Sequence, residues 1–137
     1  MNEELCYLSA CEALQRFGAR DLSPVELLNA VVERAQAIAP LINPYADRYF
    51  EQALASARHS EAKYQNPKTR TRRLEGLPLA IKDSCAVKGT RATGGSLINT
   101  EEIATVTDPS VERLLRAGAN FFARTTCPEF CWLFATH

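Results

Sequence analysis

Apolar residues recur every three or four positions in the first 65 residues and gather into short continuous runs after residue 74. The first regime reads as amphipathic helices, the second as strands and their crossover. Ser9-Ala-Cys-Glu12 is a capping box opening a helix through Phe17, with Gly18 as its stop; Ala10, Ala13, Leu14 and Phe17 share one face. Ser23-Pro-Val-Glu26 is a second capping box with proline at the first helical position, and the helix behind it is predicted to end near Ala39, before Pro40. Its apolar stripe is Leu28, Val31, Val32, Ala35, Ile38 and Ala39. A third helix, about Tyr49 to Tyr64, turns Ala53, Leu54 and Ala57 inward and Arg48, Glu51, Arg58, Glu61 and Lys63 to water.

Leu77–Ile81 is short, continuous and bounded by Gly76 and Pro78, which suits a buried strand. Asp108-Pro109 starts a helix as N-cap and first residue, with Val111, Leu114 and Leu115 inward and Gly118 as its end. Asn120–Ala123 reads as the next strand. Strand, helix and strand at this spacing predict a parallel βαβ unit, so the fold class is α/β, with N-terminal helices ahead of that unit. One domain is expected, in three parts: helical 1–65, a linker 66–73 and an α/β part 74–137.

The first strand ends in Lys82-Asp83, and catalytic groups in open α/β sheets collect at the carboxyl ends of strands. A lysine there has its stem among apolar neighbours, and partial desolvation makes its amine a usable base. Asp83 is a nearby charge partner, although alternation along a strand sends the two side chains to opposite faces. The loop Thr90–Ser96 is built of small residues and can bring backbone close to a ligand. Gly94-Gly95 lies in neither a G-x-x-x-x-G-K-[ST] nor a G-x-G-x-x-G pattern, so it is no phosphate loop. In Cys127–Phe134, a short helix or turn, Phe130, Trp132 and Phe134 read as core aromatics, with a pocket wall as the functional option.

Sixteen basic and sixteen acidic side chains leave no net charge, which argues against general attraction to nucleic acid or anionic lipid. The run Lys68-Thr-Arg-Thr-Arg-Arg73 lacks interleaved aromatics and reads as a solvated connection. No apolar stretch approaches the length of a membrane span, and the acidic start Met1-Asn-Glu-Glu is unlike a secretory signal, so a cytoplasmic location is expected. Cys6, Cys11, Cys85, Cys127 and Cys131 are odd in number and irregularly spaced, as for reduced thiols. On a helix Cys127 and Cys131 would share a face, but only His59 and His137 could complete a metal site, and both cysteines read as small core residues.

Four segments, in order, carry a resemblance. Gly76-Leu-Pro-Leu-Ala-Ile-Lys-Asp83 is similar to a G-x-P-x-x-x-K-D element, and Thr93-Gly-Gly-Ser96 to T-x-G-S. Asp108–Ala119 is similar to D-A-x-V-V-x-x-L-x-x-A-G-A, and Ala123–Phe130 to G-K-T-N-x-P-E-F. Together they resemble the amidase signature family, whose mixed-sheet fold the chain would share in part. Leu22-Ser-Pro-Val-Glu-Leu-Leu28 resembles that family's second helix. Arg124 and Thr126 depart from it, standing where lysine and asparagine are usual.

The resemblance implies hydrolysis of a small-molecule amide through a Ser–cis-Ser–Lys triad, with no metal or organic cofactor. Lys82 is then the catalytic lysine, and Asp83, Gly95 and Ser96 belong to a supporting cleft loop, with Ser96 bonding near Lys82. The serines belong to a Gly/Ser-rich segment of G-G-S-S-G-G-S type that does not occur here, so the chain is expected to be an N-terminal portion, inactive alone. Neither Ser84 nor Ser96 is a good replacement. Two other readings stand beside it: a non-catalytic module in which Lys82 holds an anion, and an assembly domain whose open sheet edge pairs with a second copy into a homo-oligomer.

Overall fold

Two serines start the first two helices of the computed structural model, which describes residues 3–134. After a 3-10 turn, Glu3–Tyr7, Ser9 Oγ accepts the Glu12 N–H at 3.1 Å and begins α1 (Ala10–Ala19). Ser23 Oγ accepts the Val25 N–H at 2.9 Å and begins α2 (Pro24–Ile42). Both helices run past their predicted ends. Gly18 lies inside α1, which closes on Arg20 at φ 65°. Pro40 lies inside α2, which closes on Asn43 at φ 41°, its N–H donating to Ala39 O at 2.9 Å. A proline one turn from the end removes one helical bond, while asparagine tolerates the left-handed turn that stops the helix.

A strand that the pattern does not announce follows, β1 (Tyr45–Arg48), then α3 (Phe50–Gln65). The second half supplies β2 (Pro78–Lys82), α4 (Pro109–Arg116) and β3 (Asn120–Thr125), with 3-10 turns at Leu97–Asn99 and Glu129–Cys131. The sheet runs β1-β3-β2, with β2 parallel and β1 antiparallel to β3. The βαβ unit is present, and β1 makes the sheet mixed. Strand β3 extends two residues beyond the expected Ala123, to pair Ile81 with Arg124 and Lys82 with Thr125.

Phe122 and Phe121 point to opposite faces of β3 and so divide the core. Phe122 packs with Leu28, Ala53 and Ala57 from α2 and α3. Phe121 packs against Ile81, Val87 and Val111 under α4. A third cluster joins Leu5, Phe17, Leu22 and Leu27 at the helical end. Leu114 is exposed, so the stripe of α4 is narrower than expected. Asp108 does cap α4 by position, but its carboxylate accepts the Ala86 N–H at 3.0 Å and makes no side-chain cap bond. Strand β2 is not buried throughout: Ile81 is, while Ala80 and Lys82 on the other face are exposed.

The connection 66–73 is anchored at its end. Glu75 is wholly buried and accepts from Arg72 Nε at 2.7 Å, Ser60 Oγ at 2.8 Å and Lys63 Nζ at 3.1 Å. Burial alone would raise its carboxyl; Arg72, Ser60 and Lys63 outweigh that and hold it at about 2. Gly118, at φ 103°, lets α4's end reach this site, since a Cβ there would lie 2.9 Å from Glu75 Cα. Among the described residues no helix is long and apolar enough to cross a membrane.

Candidate functional site

The turn after β2 is organised around Asp83. Strand alternation sends Lys82 outward and Asp83 inward, so the two do not pair. Asp83 is buried and its Oδ1 accepts from Arg124 Nε at 2.9 Å, with Arg124 Nη2 2.8 Å away in the same ion pair. Its Oδ2 accepts the Thr93 hydroxyl and, at 3.1 Å, the Gly95 N–H. Arg124 is equally buried and spends its other donors on Asp83 O at 2.6 Å, Cys85 O at 3.0 Å and Thr90 Oγ1 at 3.3 Å. A buried ion pair is tolerable when the remaining hydrogen-bonding capacity is filled in this way. Burial would raise the Asp83 carboxyl, but Thr93, Arg124 and Gly95 together keep it below its ordinary value.

Asp83 thereby holds the loop Thr93–Ser96 against the sheet, and that loop in turn holds the segment after β3. Gly95 has φ 75°, and a Cβ on it would lie 2.5 Å from Cys127 O. Gly94 O accepts the Phe130 N–H at 2.8 Å. Ser96 is buried; its hydroxyl donates to Glu129 Oε1 at 2.7 Å and accepts the Ile98 N–H at 3.2 Å. The expected bond of Ser96 near Lys82 is therefore replaced by one to Glu129. An open groove of about 320 Å³ lies over this rim, lined by Asp83, Arg91, Thr93, Gly95, Ser96 and Cys127.

Lys82 is brought to the carboxyl end of β2 but not into the groove lining, and its side chain is exposed. The dry setting expected of a strand-end lysine is absent here, because β2 is an edge strand and its Ala80–Lys82 face is open among the described residues. Near it the Cys131 thiol is held below its ordinary value, by the Ser84 hydroxyl first and then by Lys82 and Cys127. Cys127 is buried, and burial together with Cys131 pushes its thiol up to about 11.

Cys131 is exposed, contrary to a core role, and the segment is not a helix that stacks the two cysteines: Phe130 and Cys131 both have positive φ, 51° and 57°. The aromatic run is not core either. Phe130 is 60 % and Trp132 85 % exposed, and Phe134 is fully exposed. No group of three or more His, Cys, Asp or Glu among the described residues could hold a metal ion, and His137 lies outside those residues.

Sequence reasoning missed the centrality of Arg124 and Glu129. A guanidinium inside an apolar strand was a signal: such a charge is buried only with a partner, and Asp83 was the acid at the neighbouring strand's end.

A family model described as Amidase matches residues 26–137. The chain is 35% identical over 130 residues to a glutamyl-tRNA(Gln) amidotransferase subunit of Carboxydothermus hydrogenoformans, covering 93% of this chain and 26% of that protein. It is 33% identical over 127 residues to an acylamidase of Rhodococcus erythropolis, with the same coverage. The solved structure of a fatty acid amide hydrolase superposes with a TM-score of 0.84 at 25% identity, over 93% of this chain and 23% of that one. The chain thus spans about a quarter of the length of the curated relatives it matches.

Proposed function

The chain belongs to the amidase signature family, and on that footing we propose that it supplies the lysine and the groove rim of an amide-hydrolysing site whose serines lie in a further part of a longer polypeptide. In this reading Lys82, once enclosed, accepts a proton through a second serine. That proton comes from the serine nucleophile, which attacks the amide carbonyl; the acyl-enzyme is then cleaved by water. Backbone N–H groups of the serine-bearing loop stabilise the oxyanion. Asp83, Gly95 and Ser96 position the rim and touch no reacting atom. The 137 residues alone are inactive.

One observation carries the reading: segments far apart in sequence close into a single hydrogen-bonded rim at the carboxyl end of β2. Asp83 bonds Thr93 and Gly95, and Ser96 bonds Glu129. Apolar side chains beside that rim support a covering segment, since Leu97 is 89 % and Ile98 82 % exposed. Exposed apolar clusters of this kind mark contact surfaces. The same cover would exclude water from Lys82, which the described residues do not.

The direct test is a fluorophosphonate probe for activated serines. Residues 1–137 alone should remain unlabelled, whereas a chimera that continues into the last three quarters of the Rhodococcus acylamidase should be labelled within the added part. Stoichiometric labelling of Ser84 or Ser96 would overturn the assignment.

A further inference from the structure

A second hollow, of about 330 Å³, is lined by Arg70, Thr71, Arg72 and Arg73 from the connection and by Arg116 and Ala117 from the end of α4. It lies beyond the amino ends of β2 and β3, at the other end of β2 from Lys82. The chain sequence gathers three of these arginines, and the fold adds the fourth. The connection is tied to α4 by the N–H groups of Leu74 and Gly76, which donate to Ala117 O at 2.8 Å and Gly118 O at 3.0 Å. Those bonds occupy carbonyls at the negative end of the helix, which would otherwise disfavour an anion. Arg72 grips Glu75 through Nε at 2.7 Å and Nη2 at 3.1 Å, and Arg116 Nη2 donates to Glu112 Oε1 at 2.7 Å. Both keep further N–H donors unspent, because a guanidinium carries several. Arg70 and Arg73 are exposed, and their side chains have no hydrogen bond or ion pair among the described residues.

Four guanidinium groups thus stand against two carboxylates, Glu75 and Glu112, and Glu75 is already shared with Lys63. The hollow holds an excess of positive charge in a chain that has none overall. Among the described residues no aromatic side chain lines it, so nothing there would stack on a base. What it can recognise is a compact group with several anionic oxygens, which the guanidinium fork meets two at a time. We propose that this hollow is a binding site for a pyrophosphate group, free or as a diphosphate ester. Arg70 and Arg73 supply the uncompensated charge, and Arg72, fixed by Glu75, is the preorganised fork. Glu75 stays beneath and touches no ligand. Two linked phosphates suit two unpaired cations and the spare donors of two more, whereas a long nucleic acid would gain little from so confined a patch without stacking.

The site is independent of the amide-hydrolysis reading, and it is tested on the 137-residue chain by isothermal titration calorimetry with sodium pyrophosphate at low and at physiological salt. One saturating site is expected, weakening as salt rises. Arg70→Ala and Arg73→Ala should each weaken binding about tenfold, and the double variant should abolish it. Arg73→Lys keeps the charge but loses the fork and should weaken binding several-fold. Neither side chain is bonded within the fold, so thermal melts of these variants should match the parent's. Arg34→Ala, which removes a partner of Glu3 at the helical end, should leave binding unchanged. ADP titrated alongside separates the sources: an affinity equal to that of pyrophosphate admits diphosphate esters, and one about tenfold weaker restricts the hollow to the free anion. The proposal is overturned if pyrophosphate does not bind at low salt, if orthophosphate binds as tightly, or if the double variant binds like the parent. It is overturned equally if ADP binds about tenfold more tightly than pyrophosphate, making the nucleoside the ligand, or if a single-stranded oligonucleotide binds more tightly and pyrophosphate does not displace it.

Discussion

Two buried carboxylates, Glu75 and Asp83, are held by nearly the same means and serve different regions. Glu75 fastens the connection between the helical half and the sheet, with Arg72, Lys63 and Ser60 around it. Asp83 fastens the end of β2 to a glycine loop and to Arg124. Glu75 has one partner that is half-exposed, Arg72, and a second cation in Lys63. Asp83 has one buried guanidinium and beyond it a groove. The lesson is that burying a paired charge does not by itself mark a function. What lies on its open side does.

That contrast is broken most sharply by removing the arginines. Arg124→Ala leaves Asp83 buried and uncompensated and should cost about 3–5 kcal/mol of unfolding free energy. Arg72→Ala, with Lys63 still present, should cost about 1–2 kcal/mol. Urea denaturation followed by circular dichroism reads both, and equal losses would erase the distinction.

Acid comes next. The folded-state value of Glu75, about 2, lies below its ordinary 4.5, so its stabilisation is whole above about pH 4.5 and is lost as pH falls towards 2. At most about 3 kcal/mol is at stake. Glu75→Gln should flatten that acid limb in melts taken across this range; an unchanged limb would assign the loss to other carboxylates.

Gly95→Ala should cost about 1–3 kcal/mol, from positive φ and the approach to Cys127 O. Hydrogen exchange should rise at the Thr93–Ser96 loop and not around Glu75. Smallest of all, Lys82→Ala should change stability by no more than about 0.5 kcal/mol, because the side chain is exposed.

The helices and the βαβ unit were legible because capping boxes and apolar periodicity are local signals. Strand β1 was not, since Tyr-Ala-Asp-Arg has no alternation and exists only by pairing with β3. The site was legible in part. Lys82 falls at the strand end, as its spacing suggested, whereas the glycine loop is bonded to Asp83. The link from Ser96 to Glu129 and the pairing of Asp83 with Arg124 are long-range, and no local pattern announces them. Trp132 and Phe134 misled because aromatic residues signal burial without saying which chain segment provides it.

The central claim is that Lys82 is the proton acceptor of an amide-hydrolysing site and not part of the scaffold. Steady-state amide turnover by the acylamidase chimera, compared between the parent and Lys82→Ala at matched folding stability, tests it most directly. The account predicts a fall of about a thousandfold or more; turnover equal to the parent's would contradict it.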